Sequence, residues 1–248
     1  MGISHERQNK GCHDRYSFKF YNNAASISLA DGAGSASKPE IGAEIATKQV
    51  NKTVTKDFDH IYNSDVNIAS HKLTHAIRTA FGIYATRYNC NMKDLATTLL
   101  FACVKDDRFI AGHIGDGILG LLKNGEFVVL SPPENGEFIN ETYFITSRSY
   151  KSRFRLFKGK LNDINGFVLM TDGTCESLYN KLEKKIAPVV FTLFEWIDHY
   201  SMEVVDSALK ENFENIIKRK TTDDCSIGLL KLVQHDLRID ASDLSDNN

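Results

Sequence analysis

Residues 97–130 read TTLLFACVKDDRFIAGHIGDGILGLLKNGEFVVL, and this stretch decides the class of fold. Its apolar runs are broken at Lys105–Arg108 and Lys123–Glu126 by short polar turns, and Asn124-Gly125 supplies the positive φ angles of a two-residue hairpin. Strands joined this tightly run antiparallel. Residues 26–30 (SISLA), 141–147 (ETYFITS), 154–159 (FRLFKG) and 167–171 (FVLMT) read as further strands, and DDCSIGLLKLV, from Asp223 onward, leads into a closing one. Helical spacing appears in two long stretches between the first strand and residue 97. Ile41, Ile45, Val50, Val54 and Phe58 share one face, as do Leu73, Ile77, Phe81, Tyr84 and Tyr88 within residues 66–88. Residues 186–218 are helical again. Antiparallel strands with helices arriving in pairs predict an α+β sandwich with helices outside the sheets.

The chain has 248 residues, 42% hydrophobic and 25% charged, with a formal net charge of −2. This is the composition of a globular chain with a sizeable core, and it gives no electrostatic reason to expect nucleic acid or a membrane surface as partner. No apolar run reaches the ~18 residues of a membrane helix, so a cytoplasmic protein is expected. Cys12, Cys90, Cys103, Cys175 and Cys225 contain no C-x-x-C pair and read as reduced thiols. His71 and His75 share a helical face with no acid nearby, which reads as a solvated or packed face rather than a metal pair. With no linker or repeat, one domain is expected over residues 1–233, followed by a polar, fraying tail over residues 234–248.

Three apolar runs stop at an acid followed by glycine: Asp31-Gly32, Asp116-Gly117 and Asp172-Gly173. Asp-Gly is ordinarily hairpin chemistry, but a helical pattern follows Asp31 and no strand follows Asp172. Asp14, in GCHDR, and Asp223-Asp224, at the start of the closing strand, are further candidates. Acids gathered at one rim repel one another unless a cation sits among them. Oxygen ligands without Cys or His suit Mg²⁺ or Mn²⁺. Glycine beside the acid would let the main chain approach the ion.

The ordered set Ala30-Asp31-Gly32, Ala96-Thr97-Thr98-Leu99, Gly115-Asp116, Met170-Thr171-Asp172-Gly173 and Asp223-Asp224 resembles the metal-dependent protein phosphatase 2C family, over about residues 3–233. The resemblance implies a four-layer α-β-β-α sandwich of two antiparallel sheets flanked by helix pairs. It further implies a centre of two, or three, Mn²⁺ or Mg²⁺ ions that hydrolyses phosphoserine and phosphothreonine with a metal-bound hydroxide. Carried over, Asp31 bridges two metals, the Gly32 carbonyl completes one, Asp172 and Asp223 hold the other, Asp116 helps to hold a third, and Asp14 acts through water. A phosphorylated protein would be the substrate, and a cognate kinase a further partner. Three positions depart from the family pattern. His13 stands where an acid precedes Asp14, no arginine occupies the usual phosphate-holding place, and Asp224 replaces an Asn. His5, Arg7 or Lys10 is then left to hold the phosphate, with His5 and Lys10 taken as the catalytic candidates. The competing readings are a non-catalytic phosphatase-like regulatory or binding module, and a phosphohydrolase of small molecules.

Overall fold

The computed structural model describes residues 1–134 and 142–232. Its strands are β1 (Arg15–Tyr21), β2 (Ala24–Ala30), β3 (Leu99–Lys105), β4 (Arg108–Ile114), β5 (Ile118–Lys123), β6 (Glu126–Ser131), β7 (Arg155–Lys160), β8 (Ile164–Met170), β9 (Tyr179–Asn180), β10 (Lys185–Ile186) and β11 (Ile227–Lys231). Its helices are α1 (Ile3–Arg7), α2 (Pro39–Lys56), α3 (Phe58–Asn63), α4 (Val66–Arg87), α5 (Tyr150–Arg153), α6 (Asp172–Leu178), α7 (Val189–His199) and α8 (Met202–Asn212). A 3-10 turn precedes β3 and a π turn, Phe213–Ile217, follows α8.

Five strands form sheet one in the order β1-β2-β3-β4-β7, and four form sheet two in the order β11-β8-β5-β6. Every pairing within them is antiparallel. The middle strands β3 and β4 are apolar on both faces because both faces are covered. On one face, Leu99, Phe101, Cys103 and Ile110 meet Val50 and Val54 of α2 and Leu73, Ile77 and Phe81 of α4. On the other, Leu100, Ala102 and Ala111 meet Leu119, Phe167 and Leu169 of sheet two. Beyond sheet two, Val168 and Met170 pack with Val190 and Phe194 of α7. These three apolar seams make the four-layer sandwich that the resemblance implied. Burial of this kind dominates its stability, and truncating a fully buried ring such as Phe81 costs about 3–5 kcal/mol.

Several predicted boundaries shift. The 26–30 strand begins at Ala24, and Phe58 belongs to the short helix α3 beyond a break at Asp57. The first long pattern therefore spans two helices. ETYFITS is no strand where it is described: Tyr143–Ser147 runs through turns, with Ile145 buried and its N–H donating to the Thr97 carbonyl at 3.0 Å. Its apolar side chains fill the end of the helix-side core instead of a sheet. Strand β1 was not anticipated, although Tyr16, Phe18 and Phe20 alternate with Ser17 and Lys19; its aromatic residues are exposed. The predicted tail, residues 234–248, lies outside the described residues.

Candidate metal centre

The antiparallel order brings the ends of β2, β4 and β8 and the starts of β1 and β11 to one rim of the sandwich. Asp31 follows β2, Asp116 lies between β4 and β5, Asp172 opens α6 directly after β8, Asp14 precedes β1, and Asp223-Asp224 precede β11. Asp31, Asp116 and Asp172 each offer a carboxylate oxygen, and the three oxygens lie within 4.8 Å of one another. Asp223 is not part of that tight group. It lines, with Asp31, a 160 Å³ pocket beside it, and its charge acts on Asp31, Asp116 and Asp172.

The glycines are also required by the packing of the turns. A Cβ on Gly32 would lie 2.5 Å from the backbone C and O of Pro39, and one on Gly173 would lie 2.2 Å from the Asp224 carbonyl oxygen. They make room for the protein's own main chain. Close packing of these turns is what draws acids from distant parts of the sequence onto one rim. Threonines then fix the acids. Thr98 Oγ1 accepts from Asp31 N at 2.9 Å, while Thr97 Oγ1 and Thr98 N donate to the Asp31 carbonyl at 2.8 and 2.9 Å. Thr171 Oγ1 donates to Asp14 Oδ2 at 2.8 Å, and Thr142 Oγ1 to Asp116 Oδ2 at 2.5 Å.

The electrostatics follow from crowding acids in a recess. Burial first, then the charges of Asp14 and Asp172, push the Asp31 carboxyl well above the usual range. Burial and then Asp116 push Asp172 up to about 8. Asp14 is pushed up to about 7 by burial, against hydrogen bonds from Thr171 and Ser226. Asp116 is raised by burial, against its bond from Thr142. Asp14 Oδ1 and Asp116 Oδ1 are buried with no hydrogen-bond partner among the described residues. Unpaired buried carboxylate oxygens and mutual repulsion are what a bound cation relieves, so the residues present fit Mg²⁺ or Mn²⁺.

Asp224 does something the sequence did not suggest. Its carboxylate accepts from Gly2 N at 2.6 Å and His13 N at 2.6 Å, and contacts His5 Nδ1 at 2.8 Å. Burial alone would raise this carboxyl, but those bonds outweigh it and hold it below the usual range. The clamp places the His5 and His13 rings 4.1 Å apart, both lining the pocket with Asp31. Lys10 and Arg7 are exposed and do not line it. Thr142 was also missed, since a lone threonine in an apolar run gives no signal. Asp224 was legible only as an extra charge, since its partners are more than two hundred residues away.

A two-sheet α+β sandwich with an oxygen-only acid cluster at its rim defines a class of proteins with a candidate divalent-cation centre. This chain belongs to the protein phosphatase 2C family, whose profile matches residues 1–214. Serine/threonine-protein phosphatase 3 of Escherichia coli (strain K12) is 29% identical over 174 residues, covering 68% of this chain and 66% of that protein. Among solved structures, a bacterial serine phosphatase superposes with a TM-score of 0.63 at 15% identity, covering 90% of this chain and 93% of the other. The serine/threonine phosphatase Stp1 from Staphylococcus aureus gives 0.60 at 13% identity, covering 90% of each chain. RsbX in complex with magnesium gives 0.51 at 15% identity, with 90% and 89% covered.

Proposed function

We propose that this protein is a divalent-metal-dependent phosphomonoesterase acting on phosphoserine and phosphothreonine in proteins. The observation that carries this reading is the convergence of the Asp31, Asp116 and Asp172 oxygens within 4.8 Å, beside a pocket large enough for a phosphoryl group. Asp31, central to the cluster, would be shared between two ions, with the Gly32 carbonyl beside it. Asp172 and Asp223 would hold one of them, and Asp116 would serve a third. When bound, Mn²⁺ or Mg²⁺ supplies Lewis acidity and an acidified water. Asp14, hydrogen-bonded to Thr171, orients water at the edge of the cluster.

His5 is the basic candidate that faces the phosphate pocket. Its Nδ1 donates to the Asp224 carboxylate, so it is the imidazolium form whose Nε2 would donate to a phosphoryl oxygen. Likeness to the E. coli serine/threonine-protein phosphatase and to the bacterial serine phosphatase, and to RsbX in complex with magnesium, supports the substrate class and the metal.

The test is hydrolysis of a phosphothreonine peptide and of p-nitrophenyl phosphate by metal-stripped protein, before and after addition of Mn²⁺ or Mg²⁺. Metal-restored turnover on the peptide supports the reading. Metal binding measured by calorimetry with no turnover on either substrate would leave a non-catalytic module, and turnover on the small ester alone would point to a small-molecule phosphohydrolase.

A further inference from the structure

Residues 179–186 read YNKLEKKI. Tyr179–Asn180 and Lys185–Ile186 pair antiparallel as β9 and β10, so residues 181–184 form the tip of a hairpin. Its base is fixed. Tyr179 and Ile186 are buried in the outer core, and Ala187 N donates to the Leu178 carbonyl at 2.8 Å. Asn180 shapes the tip, since its Oδ1 accepts from Leu182 N at 3.0 Å and Glu183 N at 3.1 Å, an Asx turn that holds the chain outward. Every residue of the tip is exposed, Leu182 at 95%.

The hairpin is tied to the acid recess. It follows α6 directly, and α6 opens with Asp172. The seven residues of that helix rise only about 10 Å, which keeps the tip beside the rim. The charge of Lys181 is felt inside. Asp116 and Cys175, each raised by burial, are both drawn back down by it. Glu183, the one carboxylate of the tip, faces Lys185 at 3.8 Å. Lys181 and Lys184 make no ion pair among the described residues, so their charges are left for something else. The pocket beside Asp31 has no lysine or arginine in its described wall. Lys181 therefore stands near the recess but outside the space that would take a phosphoryl group.

We propose that Lys181 is a specificity-determining residue, whose ammonium pairs with a carboxylate of the substrate polypeptide close to its phosphorylated residue. This inference rests on the phosphoprotein reading above. An extended chain advances about 3.3 Å per residue, so a Glu or Asp within about three residues of the phosphorylated one can lie over the tip while the phosphoryl group occupies the pocket. A basic flank in the same place meets Lys181 and Lys184 as like charges and is rejected.

The test uses the full chain loaded with Mn²⁺ and three fluorescent heptapeptides. Each carries a non-hydrolysable phosphonate analogue of phosphothreonine at its centre, flanked on both sides by two Glu, two Gln or two Lys. Anisotropy should show the Glu peptide binding about three- to tenfold tighter than the Gln peptide, as exposed charge pairs allow, with the difference shrinking as salt is added. Lys181→Glu should move the preference toward the Lys peptide, changing the ratio of the two affinities at least about tenfold. A purely structural role for Lys181 would leave that ratio alone. A parent protein without preference, or a preference that survives Lys181→Glu, would overturn the proposal. Equal weakening of all three peptides by Lys181→Glu would also overturn it, since the lysine would then act on the phosphoryl group or the acids. Turnover of the matching phosphothreonine peptides separates this inference from the function it rests on. Acid-selective binding without turnover upholds the role of Lys181 and removes catalysis, whereas turnover without acid selectivity does the reverse. Absence of both binding and turnover overturns both.

Discussion

Two regions of this molecule reverse the ordinary partition of side chains, in opposite directions. At the rim, Asp14 is buried and Asp31, Asp116 and Asp172 are crowded into a recess. Along β1, three aromatic rings are left in solvent. The rim carries repulsion that folding alone does not reward, whereas β1 forgoes burial that folding would reward. The proposed cation would relieve the rim, whereas the β1 rings have little burial to lose, and the two should respond differently to mutation.

The sharpest break of this comparison is Asp31→Asn. In metal-reconstituted protein it should cut phosphopeptide hydrolysis by at least about 100-fold, since an amide bridges cations poorly. In metal-free protein it should raise stability by about 0.5–2 kcal/mol, as removal of a strained functional charge commonly does. Stopped assays and denaturant melts of one preparation measure both, and unchanged turnover would remove Asp31 from the centre.

Next in size is the coupling between Asp172 and Asp223. If they hold one ion, each alanine variant should lose about as much activity as the pair together. Independent losses that multiply would assign them to separate ions.

A third effect concerns pH in the metal-free protein. Asp172 is held up to about 8 and Asp14 up to about 7, each above its unfolded value of roughly 4. The folded state then binds more protons than the unfolded one. The contribution is fully present below the unfolded value and is lost as pH rises through the folded values. The thermal midpoint of metal-free protein should therefore fall between about pH 5 and about pH 8.5, and saturating Mn²⁺ should remove most of that fall. A midpoint flat across this range without metal would show that the acids do not repel one another.

The smallest effect is expected at β1. Phe18→Ser should change stability by no more than about 0.5 kcal/mol, because an exposed ring has little burial to lose. A loss of several kcal/mol would mean that the ring is already covered in solution.

The layers were legible because they rest on local patterns. Residues 97–130 alternate apolar runs with two-residue turns, and Leu73, Ile77 and Phe81 repeat at helical spacing, so periodicity alone carries them. The acids were legible for a different reason, since Asp-Gly without a following strand contradicts its own turn chemistry. What stayed hidden was non-local. Strand β1 does carry the alternation, with Tyr16, Phe18 and Phe20 between Ser17 and Lys19, and was overlooked rather than hidden. The reason for Gly173 lies at Asp224, and the role of Asp224 lies at Gly2, His5 and His13. No short window holds both members of such a pair.

The Asp224 clamp also bears on the order in which the molecule is completed. Gly2 N and Asp224 Oδ1 are separated by 222 positions, so this bond closes one of the longest loops the chain permits. Local helices and hairpins form early and contacts of large sequence separation form late. The pocket wall that carries His5 and His13 therefore waits for the arrival of the final strand. During synthesis, with chain growth at about 5–20 residues per second, Gly2, His5 and His13 emerge long before Asp224. On the proposed function, the phosphate pocket of the emerging polypeptide would be incomplete until Asp223 and Asp224 have left the ribosome.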